Sequence, residues 1–231
     1  MIDYTNKGIV SLIVFGSYAR GDNDNFSDLD LLGIVDDQNA QACPFRDINL
    51  SIYTAGKLKN LMQSGDLFAL HLKMEATPLF GGELFNSIKN EFKYKKNYID
   101  NIVYALFMGK LILEKKELIT NWGVANKRLA WVIRTIIISI SANERKPVFS
   151  KESISKFIKI PNMNSQSILD MINIKNQKIA NDLILRNIGE FLSFIEKTVN
   201  INDLRSFSFD MDFINSTIEK ILSVEDVKYH P

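Results

Sequence analysis

Asp28 and Asp30, separated by a single residue, are the first candidates for chemistry in this chain. On a strand, side chains at i and i+2 leave from the same face with Cα atoms roughly 6.6 Å apart, so the two carboxylates can converge on divalent ions spaced about 3.5 to 4 Å. Hard oxygen donors favour magnesium or manganese, ions that keep coordination positions for the oxygens of a substrate phosphate. Upstream, with ten residues intervening, stands Gly16-Ser17, directly after an apolar run. Glycine lets the backbone come close to a ligand, the N–H groups opening the next turn are unpaired, and the Ser17 hydroxyl adds a donor, a combination that suits a phosphate. No Gly-Lys-Ser/Thr follows and no Gly-x-Gly-x-x-Gly is present, so this is neither a Walker loop nor a dinucleotide fingerprint. A phosphate cradle followed so soon by a carboxylate pair points to phosphoryl-group chemistry.

Other residues have weaker claims. Arg20 is close enough in sequence to reach a phosphate held at Gly16-Ser17. Lys127, Trp131 and Arg134 are separated by four and three residues and so share one helix face, where exposed cations beside an aromatic ring could contact a triphosphate, a base or an acceptor. His71 sits within an apolar helical pattern and reads as a structural histidine. Cys43, beside Pro44, has no activating partner in view.

The elements that must position these residues follow from periodicity. Gly8 to Phe15 is a β-rich apolar run, and Asp28 to Val35 and Arg46 to Tyr53 begin with period-two alternation, which predicts three strands with Leu29 and Leu31 turned into the core. Thr54 is placed to cap a helix from about Ala55 to Met62, Ser64-Gly65 ends it, and Asp66 to Glu75 reads as a second helix before Pro78 and Gly81-Gly82. Beyond about residue 85 the pattern turns helical. Ile99, Ile102, Val103, Leu106 and Leu113 make one apolar stripe; Leu129, Val132, Ile133, Ile136, Ile137 and Ile140 make a second; Ile184, Ile188, Phe191, Leu192 and Ile195 make a third. Ser150 opens a shorter helix. The expected architecture is α+β, with a small mixed sheet over residues 1–90 and a helical bundle over 91–231.

Composition narrows the function classes. With 231 residues, 46% hydrophobic and 24% charged, the chain can bury a sizeable core, and its net charge of +1 supplies no global field for holding a polyanion. One cysteine and two histidines, His71 and His230, exclude a disulfide framework and a Cys-based zinc cluster and fit a reducing, cytoplasmic setting. The early residues lack the features of a secretory signal, and the longest apolar helical stretch, Leu129 to Ala142, is interrupted by Arg134 and too short for the roughly 30 Å bilayer core, so no membrane association is expected. The charge is uneven: residues 1–90 carry 7 basic against 11 acidic side chains, and the remainder 21 against 16. An acidic half suits divalent metal and a basic half suits phosphate.

Gly16-Ser17, ten intervening residues, then Asp28-Leu29-Asp30 resembles the signature of the DNA polymerase β-like nucleotidyltransferase superfamily, and Ala19-Arg20-Gly21 with Ser27-Asp28-Leu29-Asp30-Leu31 is similar to its minimal and antibiotic-modifying branch. The stretch Leu67 to Glu75, followed by Leu79-Phe80, is also similar to such proteins. The resemblance implies transfer of a nucleoside monophosphate from an NTP, ATP being the first expectation, to an acceptor hydroxyl, with Mg2+ or Mn2+ assisting and pyrophosphate leaving. Gly16 and Ser17 would cradle phosphates, with Arg20, Lys127 and Arg134 assisting, and Asp28 and Asp30 would hold the ions. The acceptor would be a small molecule or a protein; RNA is the weakest candidate, since the net charge offers no extended basic surface. In the family a third carboxylate lies on a later strand flanked by apolar residues. The frame Ile48-Asn49-Leu50 places an asparagine there, and Asp47, two residues earlier on the same strand face, could substitute if the register shifts. Asn49 motivates an alternative: a catalytically weakened nucleotidyltransferase fold acting as a nucleotide sensor or an antitoxin-like partner-binding protein.

Overall fold

The structure, a computed structural model, describes residues 8–25, 27–35, 48–199 and 210–223. Asp47, Cys43 and His230 lie outside the described residues. The chain divides after Lys96 into two compact units.

The first unit is built on a four-stranded sheet. Strand β1 (Ile9–Phe15) leads into a five-residue helix α1 (Gly16–Arg20), β2 (Leu29–Val35) returns antiparallel to β1, and β3 (Ile48–Thr54) lies parallel to β2. Helices α2 (Ala55–Ser64) and α3 (Leu67–Glu75) follow, then β4 (Thr77–Phe80) and α4 (Gly82–Lys89). The strand order is β3-β2-β1-β4. Helix starts and stops follow local chemistry: the Thr54 hydroxyl accepts from the Lys57 N–H at 3.2 Å, and the Asp66 carboxylate accepts from the Phe68 N–H at 2.8 Å. Between those two caps, Gly65 ends α2 in the left-handed conformation. The fourth strand departs from the sequence expectation, which read Pro78 as a terminator. Thr77–Phe80 is an edge strand, where a residue without an N–H is tolerated, and Pro78 stands opposite Ile13 on β1.

The core of this unit takes Ile13, Phe15, Leu32 and Ile34 from the sheet and Leu58, Met62, Leu72 and Phe85 from the helices. Leu32 and Ile34 share the face of Asp30, because alternate residues of a strand point to the same side. The expectation that Leu29 and Leu31 fill the core is thereby corrected. Those two leucines are half-buried on the opposite face with Val14 and Leu50, and α2, α3 and α4 pack on the Asp30 side. Asp30 thus stands at the end of the core-facing row, directly beyond Leu32.

The second unit is helical: α5 (Ile99–Glu114), α6 (Trp122–Asn143), α7 (Lys151–Phe157), α8 (Ser165–Asn173), α9 (Asp182–Thr198) and α10 (Met211–Leu222). Each of the three apolar stripes forms the inner face of one helix, α5, α6 and α9, and Ile102, Leu106, Leu129, Ile133, Ile188 and Phe191 meet in one buried core. Burying each such side chain is worth about 1.5 to 3 kcal/mol, which outweighs the weak preference of the β-branched run in α6 for strand. Asn121, Ser150, Asn164, Asn181 and Asp210 cap helix N-termini with their side chains, accepting from the N–H three residues on. No helix among the described residues is long and apolar enough to cross a membrane.

Candidate active site

Strand register brings the first candidates together. Phe15, the last residue of β1, is the partner of Asp30, so the chain leaves β1 into Gly16-Ser17 beside that aspartate. Gly16 has φ +72°, and a Cβ built on it would come within 2.7 Å of Asp30 Oδ2. Two requirements thus meet at one residue: the backbone needs the left-handed region, and the carboxylate needs the volume a side chain would fill. The absence of a side chain at Gly16 is what leaves that volume to the Asp30 carboxylate. Ser17 is half-buried in the first turn of α1, whose N-cap residue, Phe15, makes no side-chain capping bond. Asp28 lies just before β2 and is exposed, and Asp30 is half-buried.

The parallel pairing shows which β3 residue stands beside Asp30. Asn49 is the register partner of Asp30, and its Nδ2 donates to Asp30 Oδ1 at 3.2 Å. The residue on β3 that faces the carboxylate is therefore an amide donor. Among the described residues no group of three His, Cys, Asp or Glu side chains is placed to share a metal ion.

Arg20, at the end of α1, is held by acids. Its Nε donates to both Asp22 oxygens at 3.1 Å, and Nη1 donates to Glu75 Oε2 at 2.5 Å. Burial pulls the guanidinium pKa down, but the bonds to Asp22 and Glu75 outweigh it and the net change is upward, so this cation stays charged. His71 Nε2 lies 2.7 Å from the same Glu75 oxygen, and the His71 ring stands edge-on to Phe15 with centroids 5.6 Å apart. The structural role expected of His71 has its physical basis in these contacts. Glu75 was assigned no role from the sequence. Its position four residues after His71, and seven after Phe68, was the available signal: all three occupy one face of α3.

On α6 the expected cationic face is present in spacing only. Lys127 is exposed, but Arg134 is half-buried and its Nη2 donates to the Phe149 carbonyl at 3.2 Å. The expectation that both are exposed polar positions is corrected for Arg134. The cation lying against Trp131 is Arg128, with its guanidinium carbon 5.1 Å from the Trp131 ring and 4.8 Å from Phe213 on α10.

The first unit is thus a mixed sheet that sets a Gly-Ser turn against a strand-borne aspartate. Comparison with protein-family models matches residues 4–122 to the family described as "Nucleotidyltransferase domain". The match spans more than half of the chain, and the chain belongs to this family, within the DNA polymerase β-like nucleotidyltransferase superfamily. No curated protein matches the chain.

Proposed function

We propose that the protein transfers a nucleoside monophosphate from an NTP, ATP first among them, to a hydroxyl of a small molecule or a protein. The observation that supports this reading is the close approach of the Gly16-Ser17 turn to a strand-borne carboxylate, where a Cβ on Gly16 would come within 2.7 Å of Asp30 Oδ2. The donor set fits a hard divalent cation. Asp28 and Asp30 offer only oxygen, and Mg2+ or Mn2+ is bound by one or two carboxylates together with substrate phosphates rather than by a full protein cage. When bound there, the ion would neutralise phosphate charge as the leaving pyrophosphate develops.

The protein's own groups then have separable tasks. Gly16 leaves room for the Asp30 carboxylate, and the α1 amides and Ser17 hydroxyl are donors for the β and γ phosphates. Asp47, outside the described residues, is the candidate to accept the proton of the attacking hydroxyl. Asn49 cannot do so, because an amide has no useful basicity. Lys127 and Arg134 are the candidates for contacts to triphosphate or acceptor from the helical unit. Of these Lys127 is the more exposed, whereas Arg134 is half-buried and donates to the Phe149 carbonyl. The cysteine usage of the sequence suits action in the cytoplasm.

The test is incubation with NTPs labelled at the α phosphate, with Mg2+ or Mn2+, in the presence of an aminoglycoside, an RNA or the protein alone. Label on an acceptor with pyrophosphate release supports transfer. A second reading rests on the Asn49–Asp30 hydrogen bond: an amide where a carboxylate could stand attenuates the enzyme and makes it a nucleotide sensor or an antitoxin-like partner-binding protein. Metal-dependent nucleotide binding without label transfer would favour that reading.

A further inference from the structure

We propose that α3 holds the Gly16–Arg20 helix in its nucleotide-binding geometry and that Glu75 is the positioning residue, acting through Arg20. The proposal rests on the reading of Gly16-Ser17 as a phosphate cradle. A helix of five residues cannot stabilise itself, because the nucleation cost exceeds the return from so few hydrogen bonds. Its geometry must be imposed from outside, and one face of α3 does so at both ends. Before α1, Phe15 packs edge-on against Phe68 and His71, with centroids 5.5 and 5.6 Å away. At its end, Arg20 is clamped by Glu75, which His71 holds through the same oxygen.

The chemistry of the clamp argues for positioning over phosphate binding by Arg20. Nε and Nη2 lie 3.1 Å from Asp22 and Nη1 is on Glu75, so each guanidinium nitrogen already has a carboxylate partner. Glu75 is only 11% exposed, and a carboxylate that far from water needs its cation partner. Moving Arg20 to a phosphate would leave Glu75 with His71 alone and without the permanent charge of the guanidinium. Arg20 therefore works as a planar two-acid cross-link, a task its fork geometry suits better than lysine would.

The experiment compares wild type, Glu75→Gln, Arg20→Gln and the double variant by calorimetry with ATP and Mg2+, by hydrogen exchange of the Gly16–Gly21 amides, and by thermal melting. Glu75→Gln is expected to weaken ATP binding about tenfold, in the range known for residues that orient a ligand's first contacts. In the transfer assay KM for ATP rises while kcat holds. Exchange at Gly16–Gly21 speeds up while β1 and β2 stay protected, and the double variant is no worse than Arg20→Gln, because both single changes cut the same link. If Glu75→Gln fails to fold, Glu75→Asp, which keeps the charge and withdraws one methylene, is expected to act in the same direction. ATP binding unchanged in Glu75→Gln but lost in Arg20→Gln would overturn the proposal and make Arg20 a phosphate ligand. Unchanged exchange at Gly16–Gly21 would overturn the clamp even with nucleotide binding intact, whereas absence of ATP binding in wild type would sink the nucleotide reading itself and the purpose assigned to the clamp with it.

Discussion

The end of the β1–β2 pair and the outer face of α6 each carry residues whose spacing suggested a common task, and the structure treats them differently. On the strands, Asn49 hydrogen-bonds Asp30, and Asp30 fills the space a side chain on Gly16 would take, because ladder register fixes which residues stand opposite each other. On α6, Lys127, Trp131 and Arg134 share a face, yet Arg134 goes to the Phe149 carbonyl and Trp131 is taken by Arg128. Strand spacing next to a glycine turn specifies a place. Helix spacing specifies only a direction, and long flexible cations then find whichever partner is nearest.

The largest effect that separates the two regions is expected at the carboxylates. Asp28→Asn and Asp30→Asn should each lower the transfer rate by at least about 100-fold, since several kcal/mol of charge stabilisation is removed and each 1.4 kcal/mol is about tenfold. Initial-rate measurement with labelled NTP decides this, and a loss below fivefold in both would remove the strand end from the chemistry.

Next comes the third acid. Asp47→Asn should abolish transfer while sparing nucleotide binding, and Asn49→Asp should change the rate only modestly. A strong gain in Asn49→Asp, with Asp47→Asn behaving as wild type, would identify the native chain as an attenuated enzyme.

A smaller and sharper contrast lies within the turn. Gly16 and Gly21 have φ of +72° and +75°, but a Cβ on Gly16 would strike Asp30 whereas one on Gly21 meets nothing within 4 Å. Both alanine variants should cost about 1 to 2 kcal/mol from left-handed strain, a lowering of Tm by a few degrees. Only Gly16→Ala should also weaken ATP binding, by about tenfold, because it displaces the carboxylate. Equal ATP affinity in the two would show that the Gly16–Asp30 contact is irrelevant to the ligand.

Much of this was legible from sequence because local chemistry and tertiary context agree. Thr54, Asp66 and Ser150 cap where their types predict, the three apolar stripes become the inner faces of α5, α6 and α9, and Gly16 and Asp30 come side by side. Strand β4 was missed because a four-residue edge strand containing proline carries no period-two signal. Leu29 and Leu31 lie on the face opposite the one expected because alternation identifies two faces without saying which one the helices cover. The Arg20–Glu75 link spans 55 residues, and the spacing of Phe68, His71 and Glu75 marks a shared face of α3 without saying which residue that face meets.

The smallest expected effects are on α6. Lys127→Ala should weaken acceptor or triphosphate binding by about twofold to fivefold with Tm unchanged, as for an exposed side chain. Arg134→Ala should instead lower stability by about 1 kcal/mol through loss of its bond to Phe149. Both variants matching wild type in affinity would move the helical unit's contribution to another face.

The central claim, that Asp28, Asp30 and the Gly16-Ser17 turn form one divalent-dependent nucleotide site, is tested most directly by titrating ATP calorimetrically into wild type and Asp30→Asn, with and without Mg2+. The account predicts that wild type binds ATP only with the cation and that Asp30→Asn binds weakly in both conditions. Equal affinity in all four titrations would contradict it.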